Sequence, residues 1–327
     1  MPTRRSVLAS GLLATTALTL TGLTGGCSWF DPTIRGDGDP GGSPTPSPTP
    51  GADQLTAVAW LNEVSRALAA LRSATGATAA QQAWARGCQQ ALGLQSSVLR
   101  RPDPLVGDLP EPVAAPPTIA PAPVPVAQAL TTLGTVATAR AADLAALADR
   151  ADAGAHALLW GSVSIFVGSC ARPAAHPPVN QNLLPYRFDA ETLEHAQGVL
   201  IQQLFRAEQA ASALVGALSS GELRTSLQAR RTGLAALRVE TQNEMRANGA
   251  TPPPPEPGYD LPERPTANNA GVIMAAVETD VANALAGVYC STSPTTQNGR
   301  SAARARWSAQ MTQATRWGPT SWFPGWV

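Results

Sequence analysis

An all-α fold is predicted by three features of the sequence. The apolar residues are mostly Ala, Leu and Val, with aromatics at 5% of the chain. A thin core of that kind suits close-packed helices better than sheets, which favour β-branched and aromatic residues. Apolar positions recur at helical spacing over long stretches, and Gly, Pro and N-cap residues cut those stretches at helix-sized intervals.

The elements follow in order. Asp53 is placed to cap a helix through Thr75, with Gly76 as its left-handed terminator. Thr78-Ala79-Ala80-Gln81 has the form of a capping box, opening a helix that carries Trp84 and Cys88 towards Arg100. A proline-rich connection, Pro102 to Pro125, leads to a helix from Val126 to Asp152 with Leu130, Leu133, Val136, Leu144 and Leu147 as its apolar positions. His156 to Cys170 is apolar nearly all round and predicts a buried helix, although Val163, Ile165, Phe166 and Val167 leave a strand open.

In the second half, Phe188 and Asp189 suggest a staple and cap, with Phe188 meeting Leu193. Leu193, Ala196, Leu200, Leu204, Ala207, Ala211, Leu214 and Leu218 then repeat along one helix face. Ser219-Ser220-Gly221-Glu222 has the form of a second capping box, stapled by Leu218 and Leu223, and its helix runs to Asn248-Gly249. A second proline-rich crossing, Thr251 to Pro265, precedes helices from Asn269 to Cys290 and from Arg300 to Trp317. Both halves thus read as two helices, a crossing and two helices. The crossings share Asp108-Leu109-Pro110-Glu111 and Asp260-Leu261-Pro262-Glu263, so the first half is either a degenerate duplicate of the second or a chance likeness of proline-rich loops.

The chain has 327 residues, with 23 basic and 23 acidic side chains and no net charge. That balance argues against a nucleic-acid partner, which needs clustered positive charge. Every basic residue among them is arginine, so lysine nucleophiles and P-loop chemistry are excluded. There is no G-x-G-x-x-G, C-x-x-C or H-E-x-x-H, and no Ser or Cys nucleophile stands at motif spacing from His195.

The N-terminus predicts export. Arg4-Arg5, an uncharged apolar run from Val7 to Leu23 and Gly25-Gly26-Cys27 form a signal segment over residues 1–26. Thr3 to Leu8 resembles a twin-arginine export motif. Leu23-Thr24-Gly25-Gly26-Cys27 is similar to a bacterial lipobox with Thr24 in place of the usual Leu, which implies lipidation of Cys27. The alternative is an ordinary signal peptide that leaves Cys27 a free thiol. Residues 27–52 form a Pro/Gly/Ser/Thr tether, whose Pro40 to Pro50 stretch is biased to polyproline II. Some twenty such residues reach roughly 60 Å at ~3.1 Å each. The expected organisation continues with an N-terminal helical domain over 53–172, a linker over 173–187 and a four-helix bundle with a Trp-rich tail over 188–327.

Several pieces of the second half together resemble one family. They are Glu194-His195-Ala196, the run from Asn248 to Pro254, Gly258-Tyr259-Asp260-Leu261-Pro262, Ala275-Ala276-Val277-Glu278 and Trp322-Phe323-Pro324-Gly325. Their order and spacing are similar to the uncharacterised ferritin-like domain of actinobacterial envelope proteins, over roughly residues 188–325. The resemblance implies a ferritin-like four-helix bundle, and the connectivity of two hairpins joined by one long crossover agrees with it. It also implies that Glu194 and Glu278 stand where ligand remnants would be.

A di-iron bundle requires a Glu from each of two helices and Glu-x-x-His from each of the other two. The candidates are Glu191, Glu194, His195, Glu244 and Glu278, with iron or manganese as the implied metal. No Glu-x-x-His occurs, and Glu240 and Glu244 have no histidine beside them. The competing reading pairs these carboxylates with arginines such as Arg224, Arg230 and Arg238, and no cofactor is then expected. In an oxidising compartment two of Cys88, Cys170 and Cys290 are expected to be joined. Cys88–Cys170 is preferred because both lie in the first half, and Cys170–Cys290 is its rival.

Three functions stay open at this point. The first is a non-catalytic, lipid-anchored binding or interaction module on the outer face of the cytoplasmic membrane, its partners being the membrane itself and an envelope protein or small ligand. The second is a metal-binding ferritin-like oxidoreductase or storage protein. The third is a small-ligand carrier with a pocket between the halves. The aromatic tail, Trp307, Trp317, Trp322, Phe323 and Trp326, either grips a ligand or plugs the end of the bundle.

Overall fold

The computed structural model describes residues 49–108, 122–295 and 297–326. The signal segment, Cys27, most of the tether and the Leu109–Glu111 part of the crossing motif lie outside the described residues. Among the described residues there are eight helices and no strand: α1 (Ala52–Ser73), α2 (Ala79–Leu99), α3 (Val126–Arg150), α4 (Ala155–Ser169), α5 (Leu193–Ala217), α6 (Glu222–Ala247), α7 (Ala270–Ser291) and α8 (Gln297–Ala314). The fold is an all-α helical bundle, and the strand left open around Val163 is helix α4.

Local chemistry explains most boundaries. Thr78 accepts from the Gln81 N–H at 3.2 Å while Gln81 Oε1 accepts from the Thr78 N–H at 2.9 Å, a complete capping box. Gly76 at φ 86° and Gly249 at φ 80° follow the ends of α1 and α6 with the left-handed backbone that glycine tolerates. Two expected caps are displaced. Helix α5 begins at Leu193 and not at Asp189, because Thr192 Oγ1 accepts from the His195 N–H at 3.2 Å. Helix α6 has Gly221 at its N-cap with no side-chain cap, and Leu223 is exposed, so the expected box and staple do not form.

The two halves repeat one pairing plan. Helix α1 packs on α2 and α3, and α3 on α4; correspondingly α5 packs on α6 and α7, and α7 on α8. They are not separate domains. Among the described residues, those from 49 onward form one compact unit with one continuous core, in place of the expected division at 173–187. The reason is helix α4: apolar on every face, it is covered by α3 on one side and by α7 and α8 on the other. Gly161 lets the rings of Tyr289 and Trp307 approach so closely that a Cβ there would lie 2.7 and 2.9 Å from them.

Arg300 joins the halves from inside. It is fully buried, donating from Nε to the Thr292 carbonyl at 3.1 Å and from Nη1 to the Ala151 carbonyl. Those carbonyls lie just past the C-termini of α7 and α3, so the partial negative charge of two helix ends offsets a buried guanidinium. Arg304 with Asp149 at 3.0 Å and the Tyr289 hydroxyl donating to Ala148 O at 2.9 Å complete the joint.

The expected linker is a packed strap. Val179 donates to Thr320 O and accepts from the Trp322 N–H, while Gly107 donates to Pro185 O. The C-terminal tail therefore crosses onto the first half, where Gln95 of α2 donates to Trp322 O at 2.6 Å. Trp307, Phe323 and Trp326 are buried as plugs.

Candidate ligand cavity and the buried ionic seam

The carboxylates proposed for metal do not come together. Glu191 pairs with His195 across one exposed helical turn at 3.1 Å. Glu194 is exposed on α5. Glu244, with Glu240, holds Arg306 of α8 at distances of 2.5 and 2.7 Å. Glu278 alone points inward, and its relative exposure is 0%.

The partner of Glu278 is a guanidinium. Arg230 of α6 donates from Nε and Nη2 to the two carboxylate oxygens, each at 2.6 Å, in a bidentate pair. Gln310 of α8 accepts from Arg230 at 2.6 Å and donates to the Glu278 backbone carbonyl at 3.0 Å. The lone pairs a metal would need are thus taken by N–H donors, and no nitrogen ligand stands nearby. Among the described residues no group of three His, Cys, Asp or Glu is arranged to hold a metal. The donor set does not fit an iron or manganese pair. The cluster ties α6, α7 and α8 together, as expected if these carboxylates pair with arginine.

A different place has the properties of a binding site. A cavity of about 570 Å³ lies between α5 and α7, closed by Phe188, by Trp326 of the tail and by Leu158 of α4. That volume is in the range of small-molecule pockets. It exists because α5 and α7 present small residues, Ala196, Ala284 and Gly287, where larger ones would meet. A Cβ built at Gly287 meets nothing within 4 Å, so no neighbour demands the glycine. Glycine inside a helix costs ~1 kcal/mol relative to alanine, and what it leaves here is open volume.

The cavity wall is aromatic and its edge acidic. Tyr186, Phe188 and Trp326 pack edge to face with centroids 5.4–5.9 Å apart. Asp189, Glu191 and Asp280 line the opening, and Arg206 pairs with Asp280. Two polar atoms of lining residues, the Trp326 indole N–H and Gln203 Oε1, are buried behind the wall without a hydrogen-bond partner. Trp326 is 2% exposed, so water does not readily satisfy its donor. Such orphans cost about 1–3 kcal/mol each.

The one thiol on the wall is not a nucleophile. Cys290 is buried, donates to Gly287 O at 3.3 Å and has its pKa pushed up to about 11 by desolvation. The other two cysteines lie elsewhere, side by side. Cys88 of α2 and Cys170 at the end of α4 are buried free thiols and neighbours. Burial first, and the neighbouring Cys170 second, push the Cys88 thiol far up. The expected pair is adjacent but not bonded in this structure, and Cys290 lies apart from it.

Sequence reasoning did not find this cavity. Its contributors, Leu158, Phe188, Gln203, Gly287 and Trp326, are scattered over 169 positions and form no motif. The only local trace is a glycine inside the most apolar stretch of α7.

Residues 201–327 match a family model described as a domain of unknown function (DUF4439). The match covers less than half of the chain, and it overlaps the stretch, roughly 188–325, that carries the resemblance described above. No curated protein and no solved structure matches the chain.

Proposed function

We propose that the protein is an exported, lipid-anchored binding protein that holds a small molecule in the α5–α7 cavity without transforming it. The single observation that carries this reading is a cavity of small-molecule size between α5 and α7, with Tyr186, Phe188 and Trp326 among its lining residues. The Arg4-Arg5 signal, Cys27 and the proline-rich tether support a position at the outer face of the cytoplasmic membrane. Two acyl chains give stable attachment where one is marginal. The ferritin-like resemblance enters as scaffold only, since its metal position is taken by Arg230 and Glu278.

Titration calorimetry of the purified full chain with 2-phenylethanol, a neutral aromatic alcohol, tests the reading. Saturable binding at one site per chain is expected, abolished by Gly287→Leu, which fills the cavity. A Cβ at this position meets nothing within 4 Å and leucine has the better helix propensity, so the variant is expected to stay folded, which its thermal midpoint checks. Binding that is absent, or unchanged in Gly287→Leu, refutes the reading.

A further inference from the structure

We infer that the cavity is a cleft for one unbranched alkyl chain, which lies lengthwise along the seam of α5 and α7. The inference rests on the binding reading above and names the chemical class of its ligand.

The first observation is shape. The α7 lining runs from Asp280 through Asn283, Ala284 and Gly287 to Ser291, and the α5 lining runs from Gln203 through Val199 to Ala196. At ~1.5 Å per residue the α7 set spans about 16 Å. An extended chain advances about 1.2 Å per bond, so about twelve carbons and a head group fill that length. The width follows from what is missing. Packed helices fill their seam with side chains, and at Ala196, Ala284 and Gly287 most of that filling is absent. The gap is about one side chain across, which is the width of a polymethylene chain.

The second observation is where the polar groups stand. Along the middle, Leu158, Ala196, Val199, Ala284 and Gly287 offer no polar side-chain atom. Gln203, Asp280 and Asn283 line one end, and Glu191 and Ser291 line the other. Asp189 belongs to that second end, since Gly154 lies against it and donates to the Cys290 carbonyl. The Cys290 thiol is engaged with Gly287 O. A ligand lying here therefore needs no hydrogen-bonding group along its body and has room for one at its tip. Val199 supplies the third observation. This large apolar side chain on the cleft wall is 40% exposed, and an alkyl chain laid against it removes apolar surface from water on both partners.

Calorimetry of the full chain with 1-hexanol, 1-octanol, 1-decanol and 1-dodecanol, each below its solubility limit, reads the length dependence. Affinity is expected to rise about fourfold per methylene through dodecanol. Cyclooctanol, which holds the carbons of 1-octanol in a wider ring, is expected to bind about tenfold more weakly than 1-octanol, the cost of overpacking a fitted space. Asn283→Phe fills the Asp280 end, and affinity in that variant is expected to stop rising at about eight carbons. Dodecanoate and dodecylphosphocholine, offered in competition with 1-decanol below micelle formation, tell the sources apart. Displacement by the first marks a free fatty acid, displacement by the second a phospholipid chain, and displacement by both a cleft that reads the chain alone. The inference is overturned by affinity that does not rise with length, by equal binding of cyclooctanol, by an unshifted limit in Asn283→Phe, or by displacement with neither competitor. The carrier reading then stands if Gly287→Leu still blocks 2-phenylethanol, and fails as well if it does not.

Discussion

Helices α2 and α6 hold the same place in the two halves, each paired with the first helix of its unit, yet they are buried very differently. Along α2, Trp84, Cys88, Leu92, Gln95 and Leu99 are all covered, whereas α6 buries only Leu227, Leu234, Thr241 and Met245. Besides α1, the cover on α2 comes from beyond its own half: the strap at Pro177–Pro178 meets Gly87, and the C-terminal tail is bonded to Gln95. Helix α6 has no such cover. It is held to α7 and α8 by the Arg230–Glu278–Gln310 cluster and by Arg306 with Glu240 and Glu244. The facing helices of the first half meet through two thiols instead. One pairing plan is therefore closed by apolar contact where a second layer excludes water, and by charge where it does not.

The widest test of that comparison separates the halves. Expressed alone, residues 188–327 are expected to lose cooperative folding, because the tail loses its seat on α2 and the α7–α8 face loses α4. A sigmoidal denaturation curve for the fragment, read by circular dichroism, would show the second half to be independent after all.

A smaller but still severe effect is expected from Glu278→Ala, which strands a mostly buried guanidinium. The loss is about 4 kcal/mol, as for other broken buried pairs. The double variant Glu278→Met with Arg230→Met should recover most of it. Urea titrations of the single and double variants measure both values. A loss below 1 kcal/mol for the single variant would mean that the seam does not hold α6.

The thiol seam offers the counterpart. Under oxidising conditions Cys88 is expected to link to Cys170 and stabilise the chain by about 3 kcal/mol, mostly through the unfolded state. Non-reducing peptide mapping should recover that linked pair and leave Cys290 free. A linked peptide containing Cys290 would contradict the observed adjacency.

The smallest difference concerns helix starts. Helix α2 has a complete capping box, whereas α6 begins at Gly221 with no side-chain cap. Thr78→Ala is expected to cost ~1 kcal/mol. In the parent protein, amide exchange in the first turn of α6 should be faster than in the first turn of α2. Equal protection at the two starts would show that packing, and not capping, sets local stability there.

The legible parts of the fold share one property. The Thr78 box, the glycines at 76 and 249 and the apolar period of α5 act within a few residues, so spacing reveals them. The inward pose of Glu278 is equally local, since Val281 and Leu285 share its helix face. Where the reading failed, two local solutions competed. Asp189 and Thr192 are both competent caps, and the helix takes the later one, where Thr192 Oγ1 accepts from the His195 N–H. The choice between metal and arginine stayed open in the sequence for a related reason. Carboxylate spacing shows which residues share a face, but whether Arg or metal meets them depends on a helix 48 positions away.

The sequence by itself determined the helical class, the positions of the eight helices and their repeated order, because helix formation and termination depend on period, capping and backbone freedom within about one turn. Only the tertiary structure decided that the two halves share one core, that a guanidinium neutralises Glu278, and that small residues on α5 and α7 leave a cavity beneath Phe188 and Trp326. Those outcomes depend on volumes and charges brought together from distant stretches of chain. Neither volume complementarity nor charge pairing has a period that a linear sequence displays.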